Sequence, residues 1–360
     1  MTERLPRGAL VLLVAASLTV ALAGLRAAAD IVGPAVLALV LIITVHPVRR
    51  LLVLRGLPEW LVSLTVVVSV YLLLLGVTVA VIYSIGRMAA LVPEYTADIE
   101  SSITDASAWL ADRGVGDEQV ATMAGALDVG GLLTIASDVF GAVLGLASNL
   151  FFIVTLTLFM AFDTRTTQHA FDQVRLLKPE LVEALSNFAH GTRTYMGVSA
   201  SFGLVVAVID GIALQLMGVP GALVWAVLAF VTNFIPNIGF VIGVIPPAII
   251  GLLEGGPGLM LGVLAVYSVI NVLIQSIIQP RYVGDAVGLT PTITMVSLVF
   301  WAWLIGPLGA LLAVPLSLLT RALLIEADPS ARWSMPLISG RRTVSEPMPS
   351  PEPELESGDA

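Results

Sequence analysis

The chain is dominated by apolar runs long enough to cross a lipid bilayer. One crossing takes about 20 residues of helix, and continuous apolar runs of this kind predict transmembrane helices. With 57% apolar and 12% charged residues, against about 25% charged residues in soluble domains, the sequence predicts an all-α integral membrane protein, a polytopic bundle of about eight transmembrane helices. The runs are 8–25, 31–45, 61–86, 139–162, 195–217, 221–253, 258–279 and 289–320.

The basic residues predict the orientation of the chain, because Arg and Lys accumulate in cytoplasmic loops. Such residues follow the second and the fourth apolar runs, at Arg49, Arg50, Arg55, Arg165, Arg175, Lys178 and Arg193. We therefore expect both of these segments, the N-terminus and the C-terminus to be cytoplasmic.

The N-terminal half divides into three regions. Region 1–86 holds transmembrane helices 1–3, and region 139–162 is helix 4. Between them, region 87–138 is an acidic insertion with only Arg87 and Arg113 as basic residues. It is predicted to lie outside the cytoplasm and to contain two short amphipathic helices. The insertion is either an external cap or subunit contact, or a solvated hairpin resting on the membrane.

The C-terminal half also divides into three regions. Region 163–194 is predicted to be a cytoplasmic amphipathic helix, 195–325 a core with interrupted helices, and 326–360 a disordered acidic, Pro-rich cytoplasmic tail. The helix at 163–194 is predicted from one apolar stripe, formed by Phe171, Val174, Leu177, Leu181, Leu185 and Phe188.

One of the apolar runs contains a charged residue, Asp210, in the stretch VVAVIDGIALQL. It lies about 10 Å from the end of its run, at about 1.5 Å per residue. A charge this deep in a membrane costs about 3 kcal/mol, so such residues usually face a cavity, a partner or a transport path. The alternative is a structural Asp, protonated or hydrogen-bonded, that holds two helices together.

The seventh run carries a stripe of polar side chains. Residues three and four apart lie on one face of a helix, and polar groups facing lipid would lack partners, so this face is expected to point inward. It either lines a pathway or joins helices through amide hydrogen bonds. The stripe consists of Ser268, Asn271, Gln275 and Gln279.

Two apolar runs, 221–253 and 289–320, are too long for one simple crossing and contain helix breakers. Paired Gly/Pro-interrupted segments indicate a transporter's binding site, because broken helices expose backbone groups to a ligand. A kinked structural helix is the alternative. The predicted break and hinge positions are Pro236, Gly239, Pro246, Pro247, Gly306, Pro307, Gly309 and Pro315, with Asn233 and Asn237 beside the first break.

The number of crossings depends on these two segments. If both cross the membrane once, the chain has eight spans and Arg281 lies outside. If both are re-entrant, the chain has six spans and Arg281 lies inside.

The sequence lacks the residues that several classes of function require. There is no cysteine for a disulfide, a thiolate metal site or a nucleophile. There is no GxxxxGK[ST] phosphate loop for ATP coupling, and no basic patch for nucleic acid. His46, His169 and His190 all lie at predicted cytoplasmic edges, which leaves no base for a membrane serine. We expect neither an enzyme nor a bound cofactor or metal.

Two C-terminal segments resemble the autoinducer-2 exporter-like transporter family. They are NFIPNIGFVIGVIPPAI (233–249) and INVLIQSIIQPRYVGDAVGLTPTITMVSLVFWAWLIGPLGALLAVPLSLLTRALL (270–324). The resemblance covers the FIPxIG turn, the PRxxG element and the WLxGPxGxLLAVP ending. It implies an all-helical protein of the bacterial inner membrane, with eight spans and a homo-oligomeric assembly.

The resemblance also implies candidate residues. The VxDG form of the fifth helix makes Asp210 a candidate coupling residue. The family's motif positions correspond to Asn233, Pro236, Asn237, Gly239, Pro280, Arg281, Gly284, Pro291, Gly306, Gly309 and Pro315. The six transport or coupling candidates are therefore Asp210, Asn233, Asn237, Asn271, Gln275 and Arg281.

Three functions follow as hypotheses. The first is a secondary transporter that exports a small polar organic molecule such as autoinducer-2, with amides from Asn233, Asn237, Asn271 and Gln275 as hydrogen-bonding partners and protons binding at Asp210. The second is a Na⁺(Li⁺)/H⁺ antiporter that uses Asp210. The third is a non-transporting membrane scaffold. The expected partners are a small-molecule substrate, the lipid bilayer and, as a coupling ion, a proton or Na⁺.

Overall fold

A computed structural model describes residues 6–91, 149–236, 238–279 and 288–338 of the chain. These residues are almost entirely helical and include no β-strand. Most of the predicted insertion, residues 139–148 of predicted helix 4, and the motif residues Asn237, Pro280, Arg281 and Gly284 lie outside the described residues. Of the tail predicted to be disordered over 326–360, residues 339–360 also lie outside them, whereas 326–338 is described and is largely helical, contrary to the prediction. The helices are α1 (Arg7–Ala27), α2 (Ala29–Leu54), α3 (Glu59–Leu91), α4 (Asn149–Phe162), α5 (Thr164–Leu177), α6 (Pro179–Leu216), α7 (Ala222–Thr232), α8 (Gly239–Asn271), α9 (Pro291–Ile305), α10 (Pro307–Leu311) and α11 (Ala313–Arg321).

Three shorter elements complete the described chain. The π-helix Val272–Ile278 continues α8, and the π-helix Ala322–Glu326 continues α11. A 3₁₀ turn at Pro329–Ser334 leads into the short helix Met335–Ile338.

The length and apolarity of the helices confirm the predicted fold class, a polytopic helical membrane protein. Within the described residues, four stretches are long and apolar enough to cross a bilayer: Gly8–Ala27, Ala29–Leu54, Pro179–Leu216 and Glu254–Gln275. Shorter apolar helices accompany them at Trp60–Gly76, Asn149–Phe162, Ala222–Thr232, Gly239–Leu252 and Pro291–Ile305.

The region between α4 and the core differs from the single amphipathic helix expected over 163–194. Helix α5 ends at Leu177, and Lys178 is extended, with φ −144° and ψ 69°. Helix α6 begins at Pro179 and continues without a break to Leu216. The break has a local cause, because the residue before a proline is disfavoured in helical geometry whereas proline itself is favoured in a helix's first turn. The predicted apolar stripe is therefore shared between α5 and the start of α6.

The first interrupted segment folds back on itself as a helical hairpin. We call α7, the turn after it and the part of α8 before Gly255 hairpin 1. A Cβ atom at Gly239 would overlap the carbonyl group of Thr232, and one at Gly243 would lie 2.9 Å from the Thr232 hydroxyl. The two helices can pack this closely only because these positions carry no side chain.

The break within α8 lies later than predicted. The helix passes through Pro246 and Pro247, and its non-helical residues are Gly255 and Gly256, the latter with φ 68°. A proline keeps a φ angle that a helix accepts, whereas the positive φ of Gly256 is incompatible with a right-handed helix. Pro246 is therefore not a break, and the chain changes direction at the Gly255–Gly256 kink.

The second interrupted segment also folds back. Helix α9 ends at Ile305, the next residue Gly306 has φ 75°, and α10 begins with Pro307 at its first position. The indole N–H of Trp301 donates to the hydroxyl of Ser317 in α11, at 3.1 Å. Pro315 lies in the first turn of α11 and causes no break there. We call α9, α10 and α11 hairpin 2.

The two hairpins share one structural feature, a glycine packed against a backbone carbonyl group. In hairpin 2, a Cβ atom at Gly309 would overlap the carbonyl group of Trp301, just as a Cβ atom at Gly239 would overlap that of Thr232 in hairpin 1. The 11 residues of α7 and the 15 residues of α9 span about 16 and 22 Å as helix, less than a bilayer core of about 30 Å. Fold-back and short length both favour the re-entrant, six-span alternative.

Candidate functional site

One buried face of α6 lies against hairpin 1 and carries Asp210. Ser199, Gly203, Val206 and Asp210 are all buried and recur at spacings of four, three and four, which places them on one side of the helix. Asp210 itself is 0% exposed. The carboxylate thus lies inside the helical core, as the sequence predicted.

Asn233 connects the turn of hairpin 1 to this face of α6. It is 8% exposed, directly after α7, and its amide nitrogen donates to the backbone carbonyl of Ser199 at 2.9 Å. A Cβ atom at Gly203 would lie 2.9 Å from the same amide nitrogen. Gly203 therefore leaves the space that the Asn233 side chain occupies.

The polar stripe of the seventh run reaches the site from the opposite side. Asn271 is 7% exposed, and its amide nitrogen donates to the carbonyl of Tyr267 at 2.9 Å. The Gln275 nitrogen donates to the side-chain oxygen of Asn271 at 2.8 Å and to that of Asn233 at 3.1 Å. These bonds join α6, hairpin 1 and the end of α8, and we call them the amide chain.

Gln275 lies in the middle of the π-helix Val272–Ile278. A π-helical turn is rare and occurs frequently at functional sites. Here it sets the position from which one amide nitrogen reaches two oxygens.

A cavity of about 10 Å³ lies between these elements, a volume that matches roughly one water molecule. Its polar lining is formed by Asp210, Thr232, Asn233, Tyr267, Asn271 and Gln275. Among the described residues, neither carboxylate oxygen of Asp210 has a hydrogen-bond partner, and the same holds for the Tyr267 hydroxyl. Buried polar groups without partners are costly and call for an explanation such as a role in function. The arrangement can bind a proton or a small cation beside the carboxylate.

The structure brings together four of the six predicted coupling candidates, namely Asp210, Asn233, Asn271 and Gln275. Asn237 and Arg281 lie outside the described residues. Among the predicted hinge positions, Pro236 lies in the turn next to Asn233 and Gly239 is the first residue of α8 after that turn. Hairpin 2, which carries Gly306, Pro307, Gly309 and Pro315, contributes nothing to the lining of the cavity.

Three residues of the site were not predicted from sequence. Tyr267 is 1% exposed and lies one helical turn before Asn271, so the predicted polar stripe could have been extended to it. Thr232 carries a buried hydroxyl at the end of α7. Ser199 contributes its backbone carbonyl, which no side-chain pattern indicates.

Comparison with known proteins identifies relatives along nearly the whole chain. The family described as AI-2E family transporter matches residues 10–327. The chain is 32% identical over 309 residues to the "Putative transport protein YhhT" of Escherichia coli (strain K12), covering 85% of this chain and 88% of that protein. It is 29% identical over 307 residues to the "AI-2 transport protein TqsA" of the same strain, covering 84% and 88%.

A third relative comes from a bacterium other than Escherichia coli. The "Putative transport protein MT0215" of Mycobacterium tuberculosis (strain CDC 1551 / Oshkosh) is 29% identical over 308 residues, which are 79% of this chain and 80% of that protein. The resemblance found in the two C-terminal segments therefore extends over the N-terminal helices as well. The chain belongs to the AI-2E transporter family, and is a multi-pass membrane transporter and not an enzyme.

Proposed function

We propose that the protein is a secondary-active exporter of a small polar organic signal, with autoinducer-2 or a related molecule as cargo and Asp210 as the residue that couples transport to protons. The observation that carries the proposal is the buried carboxylate of Asp210, which has no hydrogen-bond partner among the described residues and faces the same cavity as the Tyr267 hydroxyl. The choice of cargo is supported by the relative TqsA, which is named as an AI-2 transport protein.

The surroundings of Asp210 suit a group that changes its charge during transport. An ionised carboxylate in the membrane interior is costly, so it gains from a bound proton, a cation or access to water. Asp210 can bind a proton in the closed cavity and release it when the cavity opens to water on one side of the membrane. Each cycle then links one proton to one movement of hairpin 1.

The small size of the cavity corresponds to a closed state of the site. A volume of about 10 Å³ is far too small for an organic molecule, since small-molecule sites measure about 300–1,000 Å³. The described arrangement is thus closed around Asp210, and passage of cargo requires hairpin 1 to move away from α6. The Gly255–Gly256 kink at the base of hairpin 1 supplies a hinge for that movement.

The amide side chains have two roles in this proposal. In the closed arrangement they hold hairpin 1 on α6 through the amide chain. In the open arrangement Asn233, Asn271 and Gln275 would offer their donors and acceptors to the hydroxyl groups of the cargo. Cargo binding and closure then compete for the same amide groups. The protein therefore cannot bind cargo at these groups and remain closed at the same time.

A Na⁺(Li⁺)/H⁺ antiporter is the second candidate, and the volume of the cavity favours it. A space for a single water also suits a small dehydrated cation, and oxygen ligands are available from Asp210, Thr232 and Tyr267. In that mechanism the carboxylate binds either a proton or a cation. The family assignment disfavours the third hypothesis, a scaffold without transport.

We propose a location and topology on the basis of the charge pattern and the bacterial relatives. The protein lies in the bacterial inner membrane with both termini in the cytoplasm, region 87–138 outside, and hairpins 1 and 2 re-entrant. The assembly is a homo-oligomer, as the family resemblance implies.

The deciding experiment is a flux assay in proteoliposomes of purified protein with a pH-sensitive dye inside. Vesicles are challenged with a sodium gradient, a lithium gradient or autoinducer-2, using the native chain, Asp210→Asn and the matched control Glu183→Gln. Glu183 is exposed on the same helix as Asp210 and does not line the cavity, so its neutralisation leaves the cavity unchanged.

Export is supported if autoinducer-2 alone moves protons and Asp210→Asn abolishes this movement while Glu183→Gln retains it. The antiporter replaces it if a sodium or lithium gradient moves protons in an Asp210-dependent way. Full activity in Asp210→Asn would remove Asp210 from the mechanism, and an equal loss in Glu183→Gln would mean that the loss in Asp210→Asn is not specific to the cavity.

A further inference from the structure

A second and much larger cavity lies between α2, α5 and α6, and we call it the lower cavity. Its volume is about 720 Å³. Helix α5 turns Thr167, Phe171 and Arg175 toward it at intervals of four residues, and α6 contributes Ser186, Ala189 and Arg193. These spacings place one face of each helix along the cavity. The lower cavity is therefore a gap between helix faces that pack only partly against each other.

The lining of the lower cavity combines apolar walls with charges of both signs. The walls include Leu39 and Ile43 of α2 and Phe188 of α6. Two negative and two positive groups line the cavity with the imidazole of His46: Asp163, Asp172, Arg175 and Arg193. A small polyol would leave the apolar walls unfilled. The lining instead fits an amphiphile whose polar end carries both a positive and a negative group.

Exposed apolar side chains beside the lower cavity indicate the level of the membrane surface. Leu176 and Leu177 at the end of α5 are 85% and 80% exposed, next to the charged Arg175 and Lys178. A short helix with exposed apolar groups and adjacent basic residues is typical of the membrane interface. The lower cavity thus lies where phospholipid headgroups are available.

We propose that the lower cavity binds a phospholipid whose headgroup carries a phosphate and a primary ammonium group, as phosphatidylethanolamine does. Arg193 and Arg175 bind the phosphate, Asp163 and Asp172 accept hydrogen bonds from the ammonium group, and an acyl chain lies against the apolar walls. The guanidinium of Arg193 has five N–H donors, of which the Nε–H donates to the carbonyl of Ile43 at 3.2 Å. Because Arg193 lines the lower cavity, its other N–H groups are available for a phosphate, which arginine binds well because of its planar fork.

This lipid site is separate from the proposed cargo site. Arg193 and Asp210 lie on the same helix, α6, 17 residues apart, which corresponds to about 25 Å. Lipid binding in the lower cavity therefore does not depend on which molecule the protein transports.

The test is a native mass spectrometry titration of the purified full-length protein with three lipids of equal acyl chains. Phosphatidylethanolamine carries both groups, phosphatidylcholine has an ammonium without N–H donors, and phosphatidylglycerol has the phosphate alone. The variants are Arg175→Gln and Asp172→Asn, with Lys178→Gln and Glu183→Gln as matched controls that do not line the lower cavity.

Phosphatidylethanolamine is expected to bind the native protein at least threefold more tightly than either other lipid. Asp172→Asn should reduce this preference, and Arg175→Gln should weaken binding of all three lipids, which share the phosphate, by about three- to tenfold, as expected for the loss of one hydrogen bond in a site open to water. The controls should bind like the native chain. Equal binding of all three lipids, or equal effects of variants and controls, would overturn the proposal.

Discussion

The side-chain oxygen of Asn233, in the turn of hairpin 1, accepts a hydrogen bond at 3.1 Å from Gln275, which lies 42 residues later in the π-helix after α8. The same nitrogen of Gln275 donates to Asn271 at 2.8 Å. Two parts of the chain that the sequence separates widely therefore meet through one amide group, beside Asp210.

Replacing Gln275 by Leu should destabilise the closed arrangement. The change removes both donors of the Gln275 amide and leaves the oxygens of Asn233 and Asn271 without this partner in a buried site, which costs about 1–3 kcal/mol. Thermal unfolding in detergent measures the loss. Gln215→Leu is the matched control, because Gln215 is exposed and should tolerate the change. Equal melting temperatures for the two variants would contradict a stabilising role of the amide chain.

Replacing Gly203 by Ala should displace Asn233. The new Cβ atom would lie 2.9 Å from the amide nitrogen of Asn233, so the side chain must shift away from the Ser199 carbonyl. We expect a loss of about 1–3 kcal/mol in the free energy of unfolding, as for other overpacked sites. At Gly197, also in α6, nothing lies within 4 Å of an added Cβ, and Ala there should be neutral or stabilising. A melting temperature that falls equally in both variants would mean that helix geometry and not the contact is responsible.

Replacing Tyr267 by Phe should lower transport activity without lowering the stability of the protein. The hydroxyl is buried and has no hydrogen-bond partner among the described residues, so its removal should leave stability unchanged or raise it by up to about 1 kcal/mol. If the hydroxyl assists proton or ion binding at Asp210, transport should fall by about tenfold, or roughly 1.4 kcal/mol. Flux in proteoliposomes and unfolding in detergent are measured on the same preparation.

Tyr71→Phe serves as the control for Tyr267, because Tyr71 is 40% exposed on α3. It should change neither quantity. Full transport activity in Tyr267→Phe would show that the hydroxyl is a passive part of the core.

Replacing Gly239 or Gly309 by Ala should disrupt the corresponding hairpin. At each position the added Cβ atom would overlap a backbone carbonyl group, that of Thr232 or that of Trp301, and backbone atoms cannot move aside as side chains do. The expected cost is about 3 kcal/mol or more. Expression level and melting temperature report the effect. Gly258→Ala is the control, since an added Cβ there meets nothing within 4 Å; a variant at Gly239 as stable as this control would argue against the tight hairpin.

Much of the site was predictable because its residues violate the rules for a membrane interior. Asp210 is a charge in an apolar run, Asn271 and Gln275 follow a helical spacing, and Asn233 adjoins the helix breakers of hairpin 1. Each of these features can be read from one local stretch of sequence. Their meeting at one cavity depends on the fold-back of hairpin 1, which local patterns do not determine.

The remaining differences have local causes that sequence patterns conceal. Tyr267 was overlooked because its ring suits an apolar helix and its hydroxyl becomes notable only when buried. The break expected at Pro246 lies at Gly255–Gly256, because proline angles fit a helix whereas a positive φ does not. The helix expected over 163–194 is split at Lys178, since Pro179 both restricts the residue before it and begins a new helix.

The amide chain affects whether protons can leak across the membrane through the closed protein. Side-chain amides neither gain nor lose a proton near neutral pH, unlike carboxylates and imidazoles. From Gln275 two hydrogen bonds lead to Asn233 and Asn271, and from these the chain ends on the backbone carbonyls of Ser199 and Tyr267. A proton that reaches Asp210 therefore finds no conducting wire through these groups. The closed state would act as an electrical insulator, and the cell could keep this protein in its membrane without draining its proton gradient.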